Sequence, residues 1–265
     1  MAIRSLKTGQ FSRSAMVGNT PAAPTAPVAG YNLWLDASNA GSFTFSSGSS
    51  VSQWTDRSGN AYAFTQATSS AQPTRNGTQN SLSTVYFDNG DKLTSTAASS
   101  VWKYLHDGTK ATVFIVAQST NSAGSYSTVM DTQDLASSNV GFAFFVYDRT
   151  IPIADTVKGT AGQEINASTT ISNESWNVYS MYLDQGNATV YEKTKLYLNS
   201  GFANVNSGNF SPSTSNPNHT LTIGGTSGAS YAFKGYIGEI ITYTSLLSDT
   251  DRKANVSYLK AKWGI

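Results

Sequence analysis

The stretch from Phe233 to Gly264 constrains this chain most, because it sets one strand directly before one closing helix. Ile237-Gly238-Glu239-Ile240-Ile241-Thr242-Tyr243 has the β-rich composition and alternation of a sheet strand. Ser248 then offers a hydroxyl as N-cap, with Asp251 three residues on, which predicts a helix start there. Val256, Leu259 and Trp263 follow at spacings of three and four, an apolar stripe that must dock on a neighbouring layer. A β domain sealed by a C-terminal amphipathic helix is an uncommon layout.

The rest of the chain reads the same way. Thr112-Val113-Phe114-Ile115-Val116-Ala117 is apolar almost throughout, as a strand covered on both faces requires. Gly141-Phe142-Ala143-Phe144-Phe145-Val146-Tyr147, Trp176 to Leu183, and Lys195-Leu196-Tyr197-Leu198 are further strands, the last ending in an Asn199-Ser200-Gly201 turn. Segments 60–84 and 148–172, rich in Ser, Thr and Ala, read as long loops. No internal repeat and no second domain boundary is visible. Only 12% of residues are charged, against roughly 25% in ordinary domains. Ser, Thr, Asn and Gly do the solvating, and the 12% of aromatic residues supply ample core material.

The tail resembles the C-terminus of the laminin-G-like, concanavalin A-like jelly-roll superfamily, in its bacterial and phage branch. The residues that carry the resemblance are Gly235, Ile237, Glu239, Tyr243, Leu247-Ser248-Asp249, Asp251-Arg252, Tyr258-Leu259 and Lys262-Trp263-Gly264. Further landmarks stand upstream in the family's order: Leu33-Trp34-Leu35-Asp36-Ala37-Ser38, Val51 to Asn60, Gln72-Pro73-Thr74, Val85-Tyr86-Phe87-Asp88 and Leu221 to Gly225. The resemblance covers residues 31–265. It implies an all-β fold: a two-sheet antiparallel jelly-roll sandwich with one short C-terminal helix and, ahead of it, an extended N-terminal arm. It does not fix a function, since one fold hosts many.

The first thirty residues are a different object. Arg4, Lys7 and Arg13 with no acid give them a charge of +3, while the remaining 235 residues carry 14 basic and 16 acidic side chains. Pro21, Pro24 and Pro27 recur at every third position, which favours a semi-rigid polyproline II spacer. The chain therefore divides into a basic arm (1–20), a linker (21–30) and a domain (31–265). Met1 to Ser14 with Val17-Gly18-Asn19-Thr20-Pro21 resembles the opening segment of virion structural proteins from tailed phages, especially those infecting cyanobacteria. The resemblance implies a docking peptide, with Ile3, Arg4, Leu6, Lys7, Phe11 and Arg13 as its contact residues. No apolar secretion signal opens the chain, which agrees with a virion protein made in the host cytoplasm and released by lysis.

Net charge of +1 argues against nucleic acid as partner. No stretch approaches the ~20 apolar residues of a membrane span, and with no cysteine there is neither a disulfide frame nor a thiolate metal site. Related sandwiches include glucanases, whose two Glu and one Asp share one strand; here Glu164, Glu174, Glu192 and Glu239 each lack a second carboxylate within four residues. His106 and His219 stand far apart without a triad or zinc pattern. No catalytic residue and no organic cofactor is expected. Asp56 and Asn60 form an oxygen-rich turn that suits either calcium or Asx-turn bonding. Some members of the family bind calcium, but relatives often continue with Gly-Asn-His where this chain has Ala61-Tyr62-Ala63. Glu239, inside the closing strand, reads as a half-buried carboxylate satisfied by backbone N–H groups or an arginine.

Sugar binding needs exposed aromatic rings beside polar loops, and Trp102, Tyr126, Tyr147 and Tyr231 are the candidates. The expectation is a virion structural protein (capsid decoration, cement, or fibre and adhesion component). Its partners would be other virion proteins through residues 1–20 and host-surface polysaccharide, with homo-oligomers in the particle. The alternative is a stand-alone carbohydrate-binding lectin. A glycoside hydrolase or lyase is disfavoured by the carboxylate census.

Overall fold

A computed structural model describes residues 25–120, 124–134, 139–148, 150–158, 161–167, 170–172, 174–205, 211–228 and 231–265. The arm residues Ile3, Arg4, Leu6, Lys7, Phe11 and Arg13 lie outside the described residues. The strands are β1 (Leu33–Asp36), β2 (Phe43–Ser47), β3 (Ser50–Thr55), β4 (Ala63–Thr65), β5 (Thr74–Gln79), β6 (Leu82–Phe87), β7 (Leu93–Ser95) and β8 (Ala111–Ser119). They continue as β9 (Tyr126–Asp131), β10 (Gly141–Tyr147), β11 (Ile151–Lys158), β12 (Ala161–Asn166), β13 (Asn177–Leu183), β14 (Thr194–Leu198), β15 (Gly201–Val205), β16 (Thr222–Ile223) and β17 (Gly235–Tyr243). One helix, α1 (Asp249–Trp263), follows.

Pairing is antiparallel throughout and builds two sheets. The first runs β15–β14–β13–β8–β17, with β1 and β6 sharing the far edge of β17 and β5 beyond β6. The second runs β2–β3–β4–β7–β16–β9–β10–β11–β12. Their inner faces enclose one core that includes Trp54, Phe64, Phe87, Trp102, Ile115, Phe142, Phe144, Tyr179 and Ile240. This is the jelly-roll sandwich that the sequence predicts.

The helix obeys its sequence signals. Ser248 Oγ accepts from Asp251 N at 3.1 Å, and Gly264 closes the C-terminus with φ of 65°. Val256, Leu259 and Trp263 are all buried. Along β17 the inner positions are Ile240 and Thr242, whereas Glu239, Ile241 and Tyr243 meet α1, so the helix lies on the outer face of the first sheet. Gly238 permits this approach: a Cβ there would stand 3.1 Å from the Trp263 ring.

Two expectations need correction. Residues 60–84 are not a loop; they contain β4, β5 and the start of β6. β5 (Thr-Arg-Asn-Gly-Thr-Gln) holds no large apolar residue, so periodicity cannot reveal it. Its hairpin to β6 turns on Asn80 and Ser81, both at positive φ (49° and 63°), the geometry of a two-residue type I′ turn without the usual glycine. Residues 148–172 likewise contain β11 and β12. Pro152 within β11 disguised that strand, and β12 is nearly devoid of large apolar residues.

The linker also departs from a free spacer at its domain end. Pro27 is buried, Val28 N donates to Asn255 Oδ1 at 2.7 Å, and Tyr243 Oη donates to Val28 O at 2.6 Å. Asn255 Nδ2 in turn donates to Tyr243 Oη at 2.9 Å. The chain is thus tied to α1 before it enters β1.

Candidate functional site

Two constellations stand out, one polar and one aromatic. The first lies beneath α1. Glu239 Oε1 accepts from Trp34 Nε1 at 2.7 Å and Tyr258 Oη at 2.9 Å; Oε2 accepts from Lys262 Nζ at 2.7 Å and Trp263 Nε1 at 2.8 Å. The partners are therefore two indoles, a phenol and a lysine, not backbone amides or an arginine, and the carboxylate is fully buried rather than half-buried. Lys262 also reaches Asp36 Oδ1 at 2.8 Å, and Arg57 closes the row on Asp36 Oδ2 at 2.5 Å. Every lone pair of Glu239 is used, so this carboxylate clamps β1, β17 and α1 together.

This cluster makes stability depend on pH with two opposite signs. Burial pushes the Glu239 carboxyl up, more than the Lys262 ammonium pulls it down, and the Asp36 charge adds to the rise. Burial also pushes Asp36 up, but Lys262 and the hydrogen bonds from Ser38 outweigh it and hold Asp36 below its ordinary value. The Glu239 contribution is full at and below about pH 4.3 and is lost as pH rises through its folded value. The Asp36 contribution is full above about pH 3.9 and is lost as pH falls through its folded value. Thermal melts taken downward from pH 8 are expected to show a gain toward roughly pH 4–5 and a loss below it. Glu239→Gln is expected to remove the gain and keep the loss; a gain that survives in this variant contradicts the assignment.

The second constellation lies on the opposite side of the molecule. In β10, Phe142, Phe144 and Val146 enter the main core, while Ala143 and Phe145 form a separate apolar cluster with Ile153, against which Tyr147 and Ile151 pack. That cluster sits on the outer face of the second sheet. Tyr126 and Tyr147 are cross-strand partners in β9 and β10, with ring centroids 4.8 Å apart. Tyr231 packs edge-on to Tyr126 at 5.2 Å, and Phe145 underlies Tyr126 at 5.1 Å. Tyr126 is 37% and Tyr231 44% exposed. Tyr231 has φ of 59°, a left-handed conformation rare for a bulky residue. Thr128 N donates to its carbonyl at 3.2 Å and fixes the loop against β9. Asp148, also left-handed at 50°, bonds its backbone N to Ser125 O at 3.1 Å and its Oδ1 to Gly124 N at 2.6 Å. It therefore borders the rings where β9 begins and β10 ends.

Three of the four aromatic candidates from the sequence thus converge. Trp102 does not: it is fully buried among Tyr62 and Phe64, with its indole N–H donated to Thr220 Oγ1 at 3.1 Å, so no sugar can reach its ring. Asp56 and Asn60 serve the turn. Asp56 Oδ1 accepts from Trp34 N at 2.6 Å and Ser58 N at 2.9 Å, Oδ2 accepts from Ser58 Oγ, and Asn60 Nδ2 donates to Asn32 O at 2.9 Å. These bonds are the Asx-turn alternative, and among the described residues no group of three or more His, Cys, Asp or Glu is placed to hold a metal ion. Phe145, Ile153 and Asp148 were missed. The signal for the first was present in β10, where apolar residues at both parities require cover on both faces.

No protein-family profile matches the chain, and no curated protein is similar to it. Solved structures are. The binding domain of botulinum neurotoxin DC in complex with SialylT matches 78% of this chain and 48% of its own, at 11% identity and a TM-score of 0.52. A botulinum neurotoxin type C structure, described by its interaction with two ganglioside molecules, matches 87% of this chain and 51% of its own, at 10% identity and a TM-score of 0.54. The Ruminococcus gnavus IT-sialidase CBM40 bound to α2,3-sialyllactose covers 57% of this chain and 83% of its own, at 16% identity and a TM-score of 0.47. The chain spans about half the length of the neurotoxin chains it matches. At these identities the two neurotoxin matches establish a shared fold.

Proposed function

We propose that the chain is a lectin-like, carbohydrate-binding protein that works through the Tyr126–Tyr147–Tyr231 face, and that residues 1–20 dock it on a tailed-phage virion. The observation that carries the first half is the ring triad, exposed at Tyr126 and Tyr231 and half-buried at Tyr147, with Tyr231 in a left-handed conformation. Such strain costs about 1–3 kcal/mol and concentrates at ligand sites. A pyranose lays its apolar face on an aromatic ring while its hydroxyls take polar partners at the rim. The two neurotoxin structures are described with glycan ligands, which supports the same use of this fold. Binding without turnover is favoured because Glu239 is saturated by donors and Glu192 pairs with Lys195 at 2.6 Å.

The test is retention of the full chain on immobilised oligosaccharides, including polysaccharide from host surfaces. Binding to none of them leaves a purely structural domain. The docking half rests on the basic opening segment and on Val28, which fixes where the chain leaves the sandwich. Deleting residues 1–20 is expected to abolish incorporation into particles while circular dichroism stays unchanged. Normal incorporation of the truncated chain refutes docking through this segment.

A further inference from the structure

We infer that the groove between α1 and the β14–β15 hairpin is a second ligand site, and that it takes an acidic sugar residue. It is separate from the tyrosine face, which lies on the outer side of the other sheet. The groove has a volume of about 380 Å³, inside the range of roughly 300–1,000 Å³ for small-ligand sites. Arg252, Lys253, Val256, Ser257 and Lys260 line it from the helix, and Ser200 from the hairpin turn. Residues 252, 256 and 260 stand four apart, with 253 and 257 as the adjoining row, so one stripe of α1 faces the hairpin.

The groove is positively charged. Arg252 Nη2 meets Asp249 Oδ1 at 2.8 Å and Lys253 Nζ meets Asp249 Oδ2 at 2.6 Å, so one carboxylate serves two cations. Lys260, half-buried, forms no ion pair among the described residues. Farther along β14, Lys195 and Glu192 cancel each other at 2.6 Å. An anion that enters the groove therefore gains an attraction that a neutral sugar does not. Aromatic rings adjoin it. Tyr182, Tyr197 and Phe202 follow one another across β13, β14 and β15, with ring centroids 5.6 and 5.5 Å apart. Arg252 lies over the middle ring at 3.9 Å and is itself buried, so it supplies charge and support rather than contact. The row ends in Phe202, which is 55% exposed and two residues from Ser200. An exposed ring takes the C–H face of a pyranose, the exposed Ser200 and Ser257 take its hydroxyls, and Lys260 takes its charge.

The experiment titrates the full chain with oligomers of uronic acids and of sulfated galactose, with their methyl-esterified or desulfated counterparts, and with sodium sulfate alone. The acidic oligomers are expected to bind at least about tenfold tighter than the neutral counterparts and to weaken as salt rises. Lys260→Ala and Phe202→Ala are each expected to lower that affinity several-fold with an unchanged circular dichroism spectrum. Tyr126→Ala combined with Tyr231→Ala is expected to leave it unchanged. Binding of no acidic oligomer, equal binding of the neutral counterparts, or sulfate alone binding as tightly overturns the inference. Loss in the tyrosine variant with retention in Lys260→Ala overturns it as well, by moving acid binding to the other face.

Discussion

Glu239→Ala is expected to destabilise the protein by about 3–5 kcal/mol, the scale for removing one partner from a buried ionic cluster. The substitution orphans two indole N–H groups and a phenol at once, because Trp34, Trp263 and Tyr258 all donate to this one carboxylate. Lys262 keeps Asp36 at 2.8 Å, so the damage falls on the docking of α1 more than on the lysine itself. Chemical denaturation followed by tryptophan fluorescence measures the effect, since the stacked Trp176 and Trp263 rings, 6.3 Å apart, report on the same contact. A loss below about 1 kcal/mol, the range of an exposed pair, would show that the cluster is not the fastening of the helix.

Tyr126→Ala combined with Tyr231→Ala is expected to weaken glycan binding by about 2 kcal/mol or more, roughly 30-fold, as for buried tyrosine anchors at interfaces. Both rings are more than a third exposed, so the melting temperature is expected to stay close to that of the wild type. Tyr231→Gly separates shape from function more sharply. Glycine adopts φ of 59° without penalty, so this variant is expected to be as stable as the wild type or more so, by up to about 1 kcal/mol, yet to bind poorly. A glycine variant that binds normally removes the ring from the site.

How far the sequence reaches is seen best at the two ends of the sandwich. The closing strand and helix were legible because capping, apolar spacing and strand alternation agree over Gly235–Gly264. Glu239 was legible as a satisfied carboxylate but its partners were not, since they come from α1 and from β1, the latter 205 residues from Glu239 in the chain. β5 escaped because hydroxyl and amide side chains fill a strand whose stability comes from pairing with β6 rather than from burial. Tyr126, Tyr147 and Tyr231 could be nominated by their polar surroundings, but only cross-strand register brings the first two together and only the loop fixed at Thr128 adds the third. Trp102 had the same polar neighbours in sequence and lies in the core, because the short helix Ser99–Leu105 turns it inward.

The tie at Val28 gives the molecule a back and a front. It sits beside α1 on the outer side of the first sheet, whereas the tyrosines occupy the outer side of the second. With two sheets stacked about 10 Å apart in between, a support that grips the chain ahead of Val28 leaves the rings pointing away from it. The nearer to Val28 such a grip falls, the less the domain can turn the rings back toward it.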